Sequence, residues 1–181
     1  VGIHALNRLT RGLTDEERAA RTKGVFITHT GLIYQNCFSA LSYKEGGNVI
    51  HDIVGSYHFK DFVKGWGHFT CMDHGFSNPT VFLFCCFDEY GRIIVYDEMY
   101  QSKTTVRDLA GMYLRRVEKL DVHPIYSVGD PSNLTRTESQ TGTTIQSEYM
   151  EHGVPIALGH KDVSSGIVRC QNRFQSKALF I

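Results

Sequence analysis

The stretch CMDHGFSNPTVFLFCCFDEYGRIIVYDEMY, residues 71–100, decides how this chain is to be folded. It contains TVFLFCCFD (80–88), an apolar run of the kind found in strands buried on both faces. EYG follows, a tight hairpin in which Gly91 can take positive φ, and RIIVYDEMY (92–100) returns as the next strand. Before the run stand the strand GHFTCMD (67–73) and the turn HGFSNP. Three neighbouring antiparallel strands are therefore expected, the first of them ending on Asp73. An acid there is either a strand-end turn residue or a ligand for something charged.

Outward from this meander the pattern changes period. In TTVRDLAGMYLRRVEKL, residues Val106, Leu109, Ala110, Tyr113, Val117 and Leu120 recur at helical spacing, with Thr104 or Thr105 as the cap. PIYSVGD (124–130) reads as a fourth strand ending in an acid. TTIQSEYMEHG reads as a helix stopped by Gly153, and VPIALG as a fifth strand. KDVSSGIVRCQNRF carries a helical stripe of Val163, Ile167, Cys170 and Phe174. Strands joined through helices run parallel, so the order β-β-β-α-β-α-β-α predicts a mixed sheet with helices on its faces. Upstream, Thr14 and Glu17 fit a capping box and Gly24 a helix stop, while 25–66 suggest short strands around the loop SYKEGGN.

Bulk properties narrow the function. A length of 181 residues suits one domain, and 41% hydrophobic with 12% aromatic residues is the composition of a folded one. Nineteen basic residues balance nineteen acidic ones, which argues against a protein that coats polyanions without specificity but leaves room for a local basic groove. No apolar run approaches the roughly 20 residues of a membrane span. Five cysteines without C-x-x-C spacing suggest neither a disulfide framework nor a zinc site, and point to a reducing cytoplasm. The chain opens on Val1, as a processed product or a piece of a longer protein does.

Asp73 closes the first strand and Asp130 the fourth, where Pro131 forces the chain out of the sheet. If those strands are neighbours, both carboxylates sit at one rim, where open α/β sheets carry their ligands. Close carboxylates repel unless one is protonated or a cation lies between them, and all-oxygen ligation suits Mg²⁺ or Mn²⁺. An aspartate just before Gly or Pro is also ordinary turn chemistry, and on pattern alone the two readings stand level.

At these residues the chain resembles the C-terminal nuclease domain of bacteriophage terminase large subunits. MDHGFSNPTVFLFCCFDEYGRIIVYDEMY is similar to that family's first catalytic segment, YSVGDPS to its second, and GVPIALGHKDVSSGIVRCQNRF to the strand and helix that follow. GLTDEERAARTKGVF…GLIY is similar to the linker leaving the motor domain. The resemblance implies an α/β fold of ribonuclease H type. It implies a helical linker over 1–23 and a nuclease domain over 24–181, cut short at its C-terminus. It further implies that Asp73 and Asp130 are catalytic and hold two Mg²⁺ or Mn²⁺ ions that hydrolyse phosphodiester bonds. The substrate would be viral double-stranded DNA, and the partners the portal and the small terminase subunit, in the cytoplasm of an infected bacterium. His74 stands where the family often has a bulky aromatic. No G-x-x-x-x-G-K-[ST] occurs, so this chain has no P-loop of its own. The family's third acid, in a late segment before Asp-Ala-x-x-Tyr, has no counterpart; Asp162 is the weak candidate.

Glu98 is an auxiliary metal candidate or an exposed strand-end acid. Arg136, Lys161 and Arg169, with Lys103, Arg107 and Arg173 behind them, are candidates for a DNA groove or for a solvated face. The nine histidines, including His51, His58 and His160, lack metal spacing; Cys85 and Cys86 read as packing on opposite faces, and Trp66 as a core anchor. A non-catalytic module docking on DNA or the portal is the alternative function. An actin-like kinase or ATPase fold would need a second glycine-rich phosphate loop, which is not visible.

Overall fold

The computed structural model describes residues 33–34, 37–50, 65–137 and 142–181. The expected helix over 1–23, with its Thr14 and Glu17 box, lies outside them, as do His51, His58 and most of the short strands expected over 25–66. Cys37–Ile181 forms one compact unit. Among the described residues, no helix is long and apolar enough to cross a membrane.

The three antiparallel strands are β1 (Gly67–Asp73), β2 (Thr80–Phe87) and β3 (Ile93–Gln101). Gly91, at φ +72°, closes the β2–β3 hairpin. Helix α1 (Val106–Leu120) follows, then β4 (Pro124–Gly129), α2 (Pro131–Leu134), α3 (Ile145–Glu151), β5 (Ala157–Leu158), α4 (Val163–Gln175) and β6 (Leu179–Phe180). The sheet order is β5-β4-β1-β2-β3-β6, with β4 parallel to β1 and β5 parallel to β4. This is the mixed α/β sheet of a ribonuclease H-like fold, with β6 as a sixth strand beyond the sequence expectation. That strand is only two residues long, too short for periodicity to reveal, and it pairs parallel to β3 at the far edge.

The core lies between the sheet and α1 and α3. Phe82 and Phe84 on β2 are fully buried against Tyr113 of α1, and Phe82 also meets Tyr149 of α3. Burying such a ring stabilises the fold by roughly 1.5–3 kcal/mol. Leu109 and Ala110, two positions of the expected α1 stripe, are fully buried as well. Thr105, not Thr104, caps the helix by accepting from the Asp108 amide; the Thr104 hydroxyl donates to Ser102 O instead. Beneath α1 the core is polar at one spot. The Thr70 hydroxyl donates to Ser127 Oγ at 2.7 Å, tying β1 to β4, and Tyr113 OH lies 3.2 Å from the same oxygen. Cys85 and Cys86 are both buried on opposite faces of β2, and Trp66 packs partly buried against the core.

Two expectations shorten. VPIALG yields strand only at Ala157–Leu158, because Pro155 has no amide to give a ladder and Val154 and Ile156 turn into the core. Of the α4 stripe only Phe174 is buried, edge-on to Phe38, whereas Val163 is 72% exposed. Asn48 is fully buried and ties residues 37–50 to the chain's end. Its amide donates to Phe174 O (3.0 Å) and Leu179 O (3.2 Å), and its Oδ1 accepts from the Ser39 amide (3.0 Å) and Lys177 Nζ (3.2 Å).

Candidate functional site

Parallel pairing of β1 and β4 runs to Met72 opposite Gly129, and the Asp130 amide adds one more bond to Met72 O at 3.2 Å. Asp73 and Asp130 are the next residues on strands about 4.8 Å apart, so they leave the sheet side by side at one rim. Gly129 makes the junction possible. A Cβ there would stand 2.6 Å from Leu134 Cδ1 and 2.8 Å from Met72 Cγ, so these side chains would have to shift where α2 folds down over the strand end.

Both carboxylates are exposed, and each is oriented by one donor. Asp130 Oδ1 accepts from the Ser132 amide at 3.0 Å and so caps α2, with Pro131 in the first helical position. Asp73 Oδ1 accepts from Asn133 Nδ2 at 3.3 Å. The turn role and a ligand role are thus compatible at Asp130, because capping uses one oxygen of two. Hard divalent cations are the ions such a pair suits, since Mg²⁺ is held by one or two carboxylates together with water and substrate phosphate. Among the described residues, no three His, Cys, Asp or Glu side chains come close enough to hold a metal ion by themselves.

His74 fills the space next to Asp73. Its Nδ1 lies 3.1 Å from Tyr149 OH, and the two rings meet edge-on at 5.7 Å. Burial pushes the Tyr149 phenol up, so it stays protonated for this contact. The 74–79 turn is stapled by Thr80, whose hydroxyl donates to Gly75 O at 2.6 Å and accepts from the Gly75 amide at 3.1 Å. Lys103, at φ +54°, donates its amide to Phe76 O at 2.9 Å and fixes the turn to the loop before α1.

A cleft of about 870 Å³ opens beside Asp73, and Phe76, Thr105, Asn133, Arg136 and Glu148 are among its walls. Arg136 is therefore the basic candidate that the structure brings to Asp73. Glu148 was missed by sequence reasoning. The available signal was its position three residues after Ile145, which puts both on one face of α3.

The other candidates lie elsewhere. Asp162 caps α4 by accepting from the Ser165 amide at 3.0 Å; it follows β5, whose rim is continuous with that of β4 through the Gly159 amide and Gly129 O. Lys161 precedes it, exposed, and Arg169 and Arg173 lie along α4. Glu98 is not brought to the rim. Leu83 separates it from Cys71, two strands across, and it lines a smaller cleft of about 370 Å³ with Arg115, Arg116 and Lys119. Arg107 is exposed in the first turn of α1.

No family model matches the chain, and no curated protein matches it. Solved structures do. The large terminase of a thermophilic bacteriophage superposes with a TM-score of 0.52 at 16% identity, over 63% of this chain and 28% of that one. The ADP complex of the same terminase gives 0.59 at 15% identity, over 99% and 40%. The nuclease domain of the P22 large terminase gives 0.51 at 14% identity, over 64% and 60%. In each case this chain spans less than two thirds of the protein it matches. It is similar in fold to bacteriophage large terminases, and in particular to the nuclease domain of one of them.

Proposed function

We propose that this chain is a divalent-metal-dependent endonuclease that hydrolyses phosphodiester bonds of viral DNA during genome packaging. The observation that carries the reading is the pair Asp73 and Asp130, side by side at the ends of two parallel strands, with Asp73 lining a cleft that also contains Arg136. In this reading Asp73 and Asp130 hold Mg²⁺ or Mn²⁺, two ions when the ligand set is complete. Cations so held would polarise the phosphodiester and supply a nucleophilic water near neutral pH. Asn133 and the Ser132 amide keep each carboxylate aimed at the rim, which lowers the cost of ordering it around a ligand. Arg136 neutralises a phosphate in the same cleft, Lys161 and Arg169 extend the basic track, and Asp162 is the candidate for the third acid, whereas Glu98 lies off the rim and is left out of the set.

By resemblance, residues 1–23 lead in from a motor domain and 24–181 form the nuclease. The same resemblance supplies the portal and small terminase subunit as partners and the infected bacterial cytoplasm as the setting.

Nicking of supercoiled plasmid tests this directly. Conversion to open-circle and linear forms is expected with Mn²⁺ or Mg²⁺, none with EDTA, and at least a hundredfold less with Asp73→Asn or Asp130→Asn. Metal-independent cutting, or full activity in both variants, would overturn it. The second reading is a DNA- or portal-docking module, since the resemblance leaves the family's third acid without a counterpart in this sequence. Folded protein that binds DNA with metal present and never cuts it selects that reading.

A further inference from the structure

We infer that Phe76 is a stacking platform for a base of the cut strand, so that the cleft favours DNA with an unstacked base over uniformly paired duplex. This rests on the nuclease reading and names the form of substrate that the same site takes.

Phe76 is 60% exposed, a large apolar ring left in water three residues after Asp73. Three residues of chain span at most about 11 Å, so the ring stays within a short reach of the acid whatever the turn geometry. It is not loosely displayed. Thr80 bonds both backbone groups of Gly75, Lys103 N holds Phe76 O, and a Cβ on Gly75 would stand 2.5 Å from Asn78 O, so the turn is closed on itself. A ring on so constrained a turn is pre-organised and loses little freedom when something stacks on it.

The surroundings say what that something is. Beyond the ring, the cleft walls are mixed: Asn78, Asn133 and Arg136 offer hydrogen-bonding groups and a cation, beside the apolar Val106 and Ile145 and the carboxylate of Glu148. An apolar partner would strip water from the Arg136 cation and from the polar groups beside it, at a cost. A nucleotide satisfies both halves, with its phosphate toward Arg136 and its base on the ring. Any base will serve, since each has a π-face, which suits cutting with little sequence preference.

The test uses the full chain in Ca²⁺ and two DNAs, a paired 20-mer duplex and the same duplex with a two-base bubble carrying 2-aminopurine, read by anisotropy and fluorescence. Wild type is expected to bind the bubble more tightly and to quench 2-aminopurine. Phe76→Ala should lose roughly five- to a hundredfold in bubble affinity together with the quenching. Phe76→Trp should retain both. Arg136→Gln should instead weaken both DNAs and lower the slope of log affinity against log salt by about one. Bubble binding unchanged in Phe76→Ala overturns the inference while leaving the nuclease reading intact. So does tighter binding of wild type to the paired duplex, which would make Phe76 a wedge between stacked bases. Failure of wild type to bind either DNA removes the nuclease reading, and the inference with it.

Discussion

At Asp130 one side chain serves two purposes, and they can be separated. Asn caps a helix as well as Asp does, whereas Ala does not. Asp130→Asn should therefore keep the α2 cap from the Ser132 amide, with a change below about 0.5 kcal/mol, and yet remove the charge at the rim. Asp130→Ala should lose both, at about 1 kcal/mol. Urea midpoints measured beside plasmid nicking decide the matter. If Asn destabilises as much as Ala, the carboxylate charge, not the cap, holds the fold at this point. Asn48 shows a different residue-scale economy. Hydropathy reads it as a loop residue in SYKEGGN, yet it is fully buried and joined to partners more than a hundred positions away. Nothing within its own neighbourhood encodes that role.

Elements differ in how much of their pattern is used. The α1 stripe is legible and used at Val106, Leu109, Ala110 and Tyr113, all buried, because the helix lies on the sheet. In α4 an equally clear stripe is used at one end only. Phe174 is 6% exposed against Phe38, while Val163 is 72% exposed. Phe174→Ala should cost about 3–5 kcal/mol, the range for emptying an aromatic site in a core. Val163→Ala, at the other end of the same stripe, should stay within about 0.5 kcal/mol. Denaturant titration of the two variants checks this; equal losses would mean that Val163 is covered in solution. Helical spacing specifies which residues share a face, but not whether a neighbour comes to that face.

On the scale of the whole molecule, buried ionisable groups set the response to alkali. Burial raises the Tyr96 and Tyr149 phenols above their usual 10.0, and burial with the nearby Asp88 raises the Cys86 thiol from 9.0 to about 12. Raised values mean that the fold keeps these protons while the unfolded chain gives them up. Their contribution is therefore intact below about pH 9 and lost as pH climbs beyond it, by about 1.4 kcal/mol per pH unit for each group that ionises only on unfolding. Urea midpoints should be level from pH 7 to 9 and fall steeply by pH 11. A midpoint level to pH 11 would show that these groups titrate alike in both states.

Sequence alone determined the strands β1 to β4, the α1, α3 and α4 helices, and the two acids that follow the cores of β1 and β4. Each of those is written in local order: a period of two or 3.6, a cap, a glycine or a proline at a turn. It also carried the fold class, because three strands joined by tight turns and later strands joined through helices admit few sheets. Tertiary structure alone decided the rest. It put Phe76, Arg136 and Glu148 on one cleft, set Glu98 two strands from the rim, added β6 at the far edge, and buried Asn48. Those outcomes depend on which distant segments meet, and the meeting is settled by volume filled and hydrogen bonds satisfied across the closed chain. No window of neighbouring residues contains that information.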